Sequence, residues 1–414
     1  MKIKTTAVLA AAVSAFAITA ATADTIKMAF IDPLSGPFGP TGEAGLTSFQ
    51  LAAEHINAAG GVNGDMIEIA AYDNKISPKE SLVQLQKALD DGARYILQGN
   101  GSAVAAALID AVNKHNSRNP GDEVLFFNYA AVTPAFTNEM CSFWHFRFDA
   151  HDDMKMAAIT DYIEANPDIK KIYLIGQDYV FGQAVAAAAV AMLAEKRPDI
   201  EIVGNELHPL GKVKDFTPYI QKIISSGADA VITGNWGADM TLLMKAAAES
   251  GSDIPYLTFY GGSKGALATL QGAAVGTLYQ VSEGTTNLET SQDHYDLINE
   301  YKERFPEYDY FFHRNFNTIN MFAEAAAKAG SNDPIPVAKA LEGLEYQSAY
   351  GPAVMRAEDH QVQQPLYISV VEPVSDGLMF NFDNTDYGWK LVENGAISLE
   401  NAMQPTTCEM ERPE

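Results

Sequence analysis

The sequence holds only two cysteines in 414 residues, Cys141 and Cys408, and no Cys-x-x-Cys pair. That excludes a dithiol redox centre and a cysteine-based zinc site. Bases are scarce too: 28 Lys+Arg stand against 53 Asp+Glu, for a formal net charge of −25. A surface so acidic repels nucleic acid and anionic lipid, and neither is expected as a partner. Past the first two dozen residues no run of ~18 consecutive apolar residues occurs, so no membrane-spanning helix is expected there. Gly-x-Ser-x-Gly, the nucleophile elbow of the α/β hydrolases, is missing. No nucleophile–base pair stands out, so no catalytic residue, metal ligand or cofactor is assigned, and an enzyme is not expected.

What is present begins at the N-terminus. Lys2 and Lys4 precede an apolar stretch from Ala7 to Ala20, which closes on Ala21-Thr22-Ala23. A basic start, a short apolar segment and a small-x-small end make a secretory signal peptide over 1–23. The mature chain is expected to start at Asp24 and to reside in a bacterial periplasm. In that oxidising compartment the two cysteines are expected to pair, clipping the C-terminal tail to the middle of the chain.

Strand-like and helix-like runs alternate along the rest. TIKMAFID (25–32), IEIAAYD (67–73), RYILQ (94–98) and EVLFFNYA (123–130) read as strands with helical periods between them. Ser77, Pro78 and Glu80 form a helix-start signature. The alternation restarts after residue 150, so two α/β units with parallel sheets are expected, each covered by helices. The stretch His145–Asp153 carries six ionisable side chains in nine residues, and it reads as a solvated linker face. Residues 375–414 read as a tail over the surface.

The segment YILQGNGSAVAAALIDAV (95–112) places two glycines between a strand and a helix. A dinucleotide fingerprint needs a third glycine, and Val104 stands in its place. The next strand offers no acid for a ribose, and the Lys-Ser/Thr of a P-loop is missing. What remains is a bare backbone at Gly99 and Gly101, with the Ser102 hydroxyl at a helix start. That suits a small anion.

Several groups in order resemble one family. They are Asp32-Pro-Leu-Ser35-Gly36-Pro37, then Glu54 to Gly64 with Asn57, Gly60, Gly61 and Asn63, then Asp73 with Ser77-Pro78-Lys79-Glu80. Asp178-Tyr179-Val-Phe181-Gly182 and Lys214-Asp215-Phe216 follow. This series, within Thr25–Pro373, is similar to the Leu/Ile/Val-binding proteins, the type I periplasmic solute-binding proteins of ABC importers. The resemblance implies two Rossmann-like lobes with parallel central sheets, joined by a three-segment hinge. Lobe one would be 24–147 plus 283–346, lobe two 148–282 plus 347–374, and 375–414 the tail. A small-molecule solute would lie between the lobes and pass to a membrane ABC permease complex, with the receptor a monomer.

The resemblance also implies site residues. Ser102, with Gly101, matches the family's carboxylate-binding serine. Tyr129, Ala130, Ala131 and Val132 match a wall segment whose usual threonine is here Val132. Phe38, Thr41, Phe181, Trp236 and Tyr260 stand at or near loop-tip positions, several of them aromatic in the family. The loop with Gly261 and Lys264 is where the family keeps the acid that pairs with an α-ammonium, and no acid is there. Asp239 or Asp178 could substitute. Otherwise the ligand lacks an ammonium, as an aromatic carboxylate does, or shields it, as a betaine does. A secreted hydrolase in the same cleft is the competing class.

Overall fold

The structure, a computed structural model, describes residues 24–413; the expected signal peptide lies outside the described residues. Strand β1 (Thr25–Asp32) is apolar and almost wholly buried, as a strand covered on both faces must be. Helix α1 (Gly39–Ala58) follows, with proline in its first turn, where a missing N–H costs nothing. It ends at Gly60 and Gly61, whose φ angles of 107° and 76° stop the helix. Then come β2 (Met66–Asp73), α2 (Pro78–Asp90), β3 (Tyr95–Gln98), α3 (Ser102–Arg118), β4 (Leu125–Asn128) and β5 (His145–Arg147). The Ser77 hydroxyl caps α2 by accepting from the Glu80 N–H at 3.3 Å. The Glu80 carboxylate accepts from Gln84 instead of returning the bond, so the capping box is half-formed.

These five strands form one parallel sheet in the order β2-β1-β3-β4-β5. The chain then builds α4 (Asp152–Ala165), β6 (Lys171–Gln177), α5 (Val180–Lys196), β7 (Glu201–His208), α6 (Thr217–Ser226) and β8 (Ala230–Thr233). It continues through α7 (Gly237–Glu249), β9 (Tyr256–Thr258), α8 (Ala266–Leu270) and β10 (Leu278–Ser282). Strands β7-β6-β8-β9-β10 repeat the order of the first sheet, all parallel. The two lobes therefore share one topology although their sequences do not align. Each has a switch point, β1/β3 in one and β6/β8 in the other, where the loops diverge and leave a crevice.

Helices α9 (Gln292–Arg304), α10 (His313–Ala329) and α11 (Pro334–Leu341) return to the first lobe, and Phe316, Phe322 and Val337 join its core. A small antiparallel sheet follows: β11 (Glu345–Ser348), β12 (Gly351–Met355) and β13 (Val362–Gln363). Ala353, Met355 and Val362 pack into that same core, so the chain enters the second sheet only with β14 (Leu366–Pro373), not near 347. Strand β15 (Tyr387–Ile397) pairs antiparallel with β14, which itself runs antiparallel to β10. Part of the expected surface tail is thus the edge strand of the second sheet. Helix α12 (Leu399–Ala402) follows, and Cys408 is bonded to Cys141.

The His145–Asp153 run is not a solvated face. His145, Arg147, Asp149, His151 and Asp152 are all at most 1% exposed. The run is the first passage between the lobes, and the last passage meets it there. Arg147 donates to Gln361 Oε1 and the Thr133 carbonyl, both at 2.6 Å, and to the Thr137 hydroxyl. Gln361 and Gln364 donate in turn to the carbonyls of Asp149 and Phe148. Burial of Arg147 is tolerated because each of its guanidinium nitrogens finds an acceptor, whereas both Asp152 carboxyl oxygens are buried without a hydrogen-bond partner.

Candidate functional site

The two switch points open onto a common cleft of about 680 Å³, its mouth included. From the first comes the turn after β3. Gly101 has a φ of 92°, a conformation that suits glycine, and releases the chain into α3. Gly99 is required for a different reason: a Cβ there would lie 2.7 Å from the Ala130 nitrogen and 2.9 Å from the Tyr129 ring. The turn is held from behind by Asp32 at the end of β1. Its carboxylate accepts from the N–H groups of Gly99 (3.2 Å) and Asn100 (3.1 Å), from Asn100 Nδ2 (3.1 Å) and from the Tyr129 hydroxyl. Burial pushes the Asp32 carboxyl up to about 7, although all these donors oppose the shift. Ser102 is 2% exposed and lines the cleft. At the start of the seventeen-residue α3, N–H groups without intrahelical acceptors add positive potential to the Ser102 hydroxyl.

The second switch point supplies the aromatic wall. Tyr179 and Phe181 follow β6, and Trp236 follows β8, with Trp236 Nε1 donating to the Tyr179 hydroxyl at 2.9 Å. Beside them the loop after β9 brings Tyr260, Gly262, Ser263 and Lys264. The Gly262 N–H donates to Gln280 Oε1 (2.9 Å), and the Ser263 hydroxyl bonds the Tyr260 carbonyl and the Gly237 N–H, which fixes the loop. Lys264 Nζ lies 4.2 Å from the centre of the Tyr308 ring, on the opposite lobe. Phe38 packs against Trp236 with ring centres 4.4 Å apart and planes tilted by 39°, so the lobes touch across the cleft.

Among the residues expected from sequence, Thr41, Gly101, Ser102, Ala130, Phe181, Trp236, Tyr260 and Lys264 line the cleft. Five do not. Phe38 backs Trp236 instead of facing the space, and Tyr129 is turned inward to Asp32. Ala131 and Val132 are 1% exposed and belong to the cores behind the wall. Gly261 packs against Thr258 and Trp389, while the next residues turn inward to the cleft. Asp178 and Asp239 do not line it either. Asp239 accepts from Gln177 Nε2 and the Gly211 N–H, and Asp178 from Gln183.

Sequence reasoning missed the floor of the cleft. Tyr308, Asp309, Phe311, Phe312 and Arg314 come from the segment entering α10, and Phe382 from the loop before β15. The aromatic run with one arginine, YFFHRNF (310–316), was a signal: helical periodicity covers only its end. Arg314 is 2% exposed. Its Nε donates to the Tyr129 carbonyl at 2.5 Å and its Nη1 to Glu283 Oε1 at 2.6 Å, while Asp149 Oδ2 is 3.5 Å away. Lys155 completes the buried group, 2.9 Å from Asp149 and 4.6 Å over the Tyr260 ring. Burial opposes ionisation of Glu283, but the charges of Arg314 and Lys155 outweigh it and hold the carboxyl below its usual range. Arg314 is likewise held cationic: Asp149 and Glu283 overcome its burial.

A profile described as periplasmic binding protein matches residues 25–377. The chain is 31% identical to the Leu/Ile/Val-binding protein homolog 4 of Brucella abortus (strain 2308), over 98% of this chain and 97% of the relative. Its fold is similar to the leucine-, isoleucine-, valine-, threonine-, and alanine-binding protein of Brucella ovis in a closed conformation. There the TM-score is 0.83 at 29% identity, covering 94% of this chain and all of that one. The solute-binding protein of an ABC transporter from Rhodopseudomonas palustris BisB5, solved with 3,4-dihydroxy benzoic acid, shares the fold at 22% identity. Its TM-score is 0.77, over 91% of this chain and 98% of that one.

Proposed function

The chain belongs to the periplasmic binding protein family, and from that premise we propose that it captures a small carboxylate-bearing solute between its lobes and delivers it to an ABC importer. The observation that carries this reading is the cleft between two switch points, with the Ser102 end of α3 on one side and Trp236 and Phe181 on the other. An anion meets hydroxyl and helix-end N–H groups there, and the remainder of the solute meets apolar rings. The relatives' names point to amino acids in the Brucella receptors and to an aromatic acid in the more distant Rhodopseudomonas one, so both kinds of acid belong in the test.

In this reading the lobes close by a hinge at three passages. The first two fall near residues 147 and 282. The third falls between Val362 and Leu366, because the small sheet packs with lobe one. The protein works as a monomer in the periplasm and docks on its permease when closed. Calorimetry and thermal unfolding with a panel of small acids test the reading. One acid is expected to bind at a single site, raise the melting temperature through linkage and be recovered unchanged by mass spectrometry. Conversion to a product would favour the hydrolase instead.

A further inference from the structure

We infer that the solute carries its carboxylate without a charged amine, and that Arg314 Nη2 and the Ser102 end of α3 are the donors that hold it. This rests on the receptor reading and deepens it. Three observations lead there. The first is that Arg314 Nη2 is buried and has no hydrogen-bond partner, while the other guanidinium nitrogens have theirs. A cationic donor removed from water without an acceptor is costly, and a planar N–H beside a cleft suits one oxygen of a carboxylate. Arg314 also lines the same cleft as the Gly99–Ser102 turn. Its Nε holds the Tyr129 carbonyl, and the next residue, Ala130, packs on Gly99 and lines the same cleft as Ser102.

The second observation concerns what an ammonium would find. Asp309 is the one acidic residue lining the cleft among the described residues, and both its oxygens are engaged. Oδ1 accepts from Lys302 Nζ at 2.9 Å, and Oδ2 from the Asp383 N–H at 2.8 Å. Asp149 and Glu283 lie behind Arg314, where they neutralise Arg314 and Lys155. An α-ammonium in the cleft would therefore lose its water, meet Arg314 and Lys264, and find no free carboxylate among the lining residues: Glu283 Oε2 has no hydrogen-bond partner, but it is buried behind Arg314 and does not line the cleft. The third observation is the wall itself: Phe181, Trp236, Phe311, Phe312 and Phe382 offer apolar surface to the body of the solute. The fit is to an aromatic or branched aliphatic monocarboxylate.

Matched acids with and without the α-amino group test this: hydrocinnamate against phenylalanine, isocaproate against leucine, and phloretate against tyrosine, with glycine betaine as a shielded cation. Calorimetry on the full mature protein is expected to give at least one amine-free acid bound tenfold or more tighter than its amino partner. An amino acid binding more tightly than its partner, or betaine binding more tightly than every acid, overturns the inference and leaves the receptor reading standing. If no probe binds, the inference is also overturned; native mass spectrometry then decides the receptor reading, which survives only if the protein carries another small solute. Arg314→Lys keeps a cation for Glu283 and removes Nη2. It is expected to keep a cooperative thermal transition, yet to lose at least tenfold of the wild-type preference for hydrocinnamate over hydrocinnamamide. An unchanged preference in a folded variant removes Arg314 from the site.

Discussion

Asp32 shows how a residue can shape the site without touching the solute. In the sequence it reads as the first member of an Asp-Pro-Leu-Ser-Gly-Pro turn; in the structure its carboxylate is the acceptor around which the Gly99–Asn100 turn is built. Sequence could not reveal this, because the pairing joins residues 67 and 68 positions apart. Its carboxyl titrates near 7 in the fold against 3.8 as the ordinary value. Between those pH values the folded chain holds more protons here than the unfolded chain. This group's contribution to stability therefore falls as pH rises through that window, by up to about 1.4 kcal/mol per pH unit. Asp32→Asn removes the titration. The stability gap between wild type and variant, measured by urea unfolding, should be larger at pH 5 than at pH 8; an equal gap at both refutes the assignment. Ser102 was legible from its place after the glycines. Ser102→Ala should weaken the bound acid by about 1–3 kcal/mol, as loss of a hydrogen bond to a charged group does, with little change in the melting temperature of the free protein. Unchanged affinity by calorimetry would take Ser102 out of the cleft's chemistry.

At the scale of elements, the sequence marked what local physics controls. Alternating periods located most strands and helices of both sheets, though not β5, which read as a linker, nor β10, and Ser77, Pro78 and Gly60-Gly61 marked helix ends that the structure retains. It failed where an element is defined by its neighbours. The sheet β11–β13 consists of short pairings, and strand β15 lies in a polar, aromatic stretch with no clean alternation. The segment before α10 supplies the cleft floor from aromatic residues that could equally be core, and Phe312 and Phe316 in fact join the lobe-one core. The β3–α3 turn gives the prediction at this scale. Gly99→Ala would push a methyl group into the Ala130 nitrogen and the Tyr129 ring, which the Asp32 bond holds in place. An overpacked site of this kind costs about 1–3 kcal/mol, and displacement of the Ala130 wall should weaken solute binding as well. Urea unfolding and calorimetry on the same variant report both effects, and a variant as stable as wild type would mean that the wall yields freely.

At the scale of the whole molecule, the paired switch points explain why one cleft forms, and the C-terminal segment explains what restrains it. After β15 leaves the second sheet, Ala402 packs in the second lobe's core. Within a few residues the chain is on the first lobe. The Gln404 carbonyl accepts from Arg356 Nη1 at 2.7 Å, the Thr406 hydroxyl donates to the Thr137 carbonyl at 2.7 Å, and Arg412 reaches Glu342. Cys408 fixes this strap to Cys141 across 267 positions of sequence. The two cysteines alone predicted the bond; its mechanical place needed β15, because only a segment anchored in both lobes restrains their separation. Thiol titration of the denatured, unreduced protein should find no free thiol. In the chain-entropy picture closing so long a loop is worth up to about 5 kcal/mol, so Cys141→Ser with Cys408→Ser should lower the thermal midpoint. The larger consequence concerns opening. Solute holds the lobes together through the cleft and the strap holds them from the side, so cutting the strap should matter most when the cleft is empty. Small-angle scattering of the double variant should show a larger radius of gyration than wild type in the free protein and the same radius with solute bound. If the free proteins scatter alike, the strap is a stabilising clip that places no limit on the hinge.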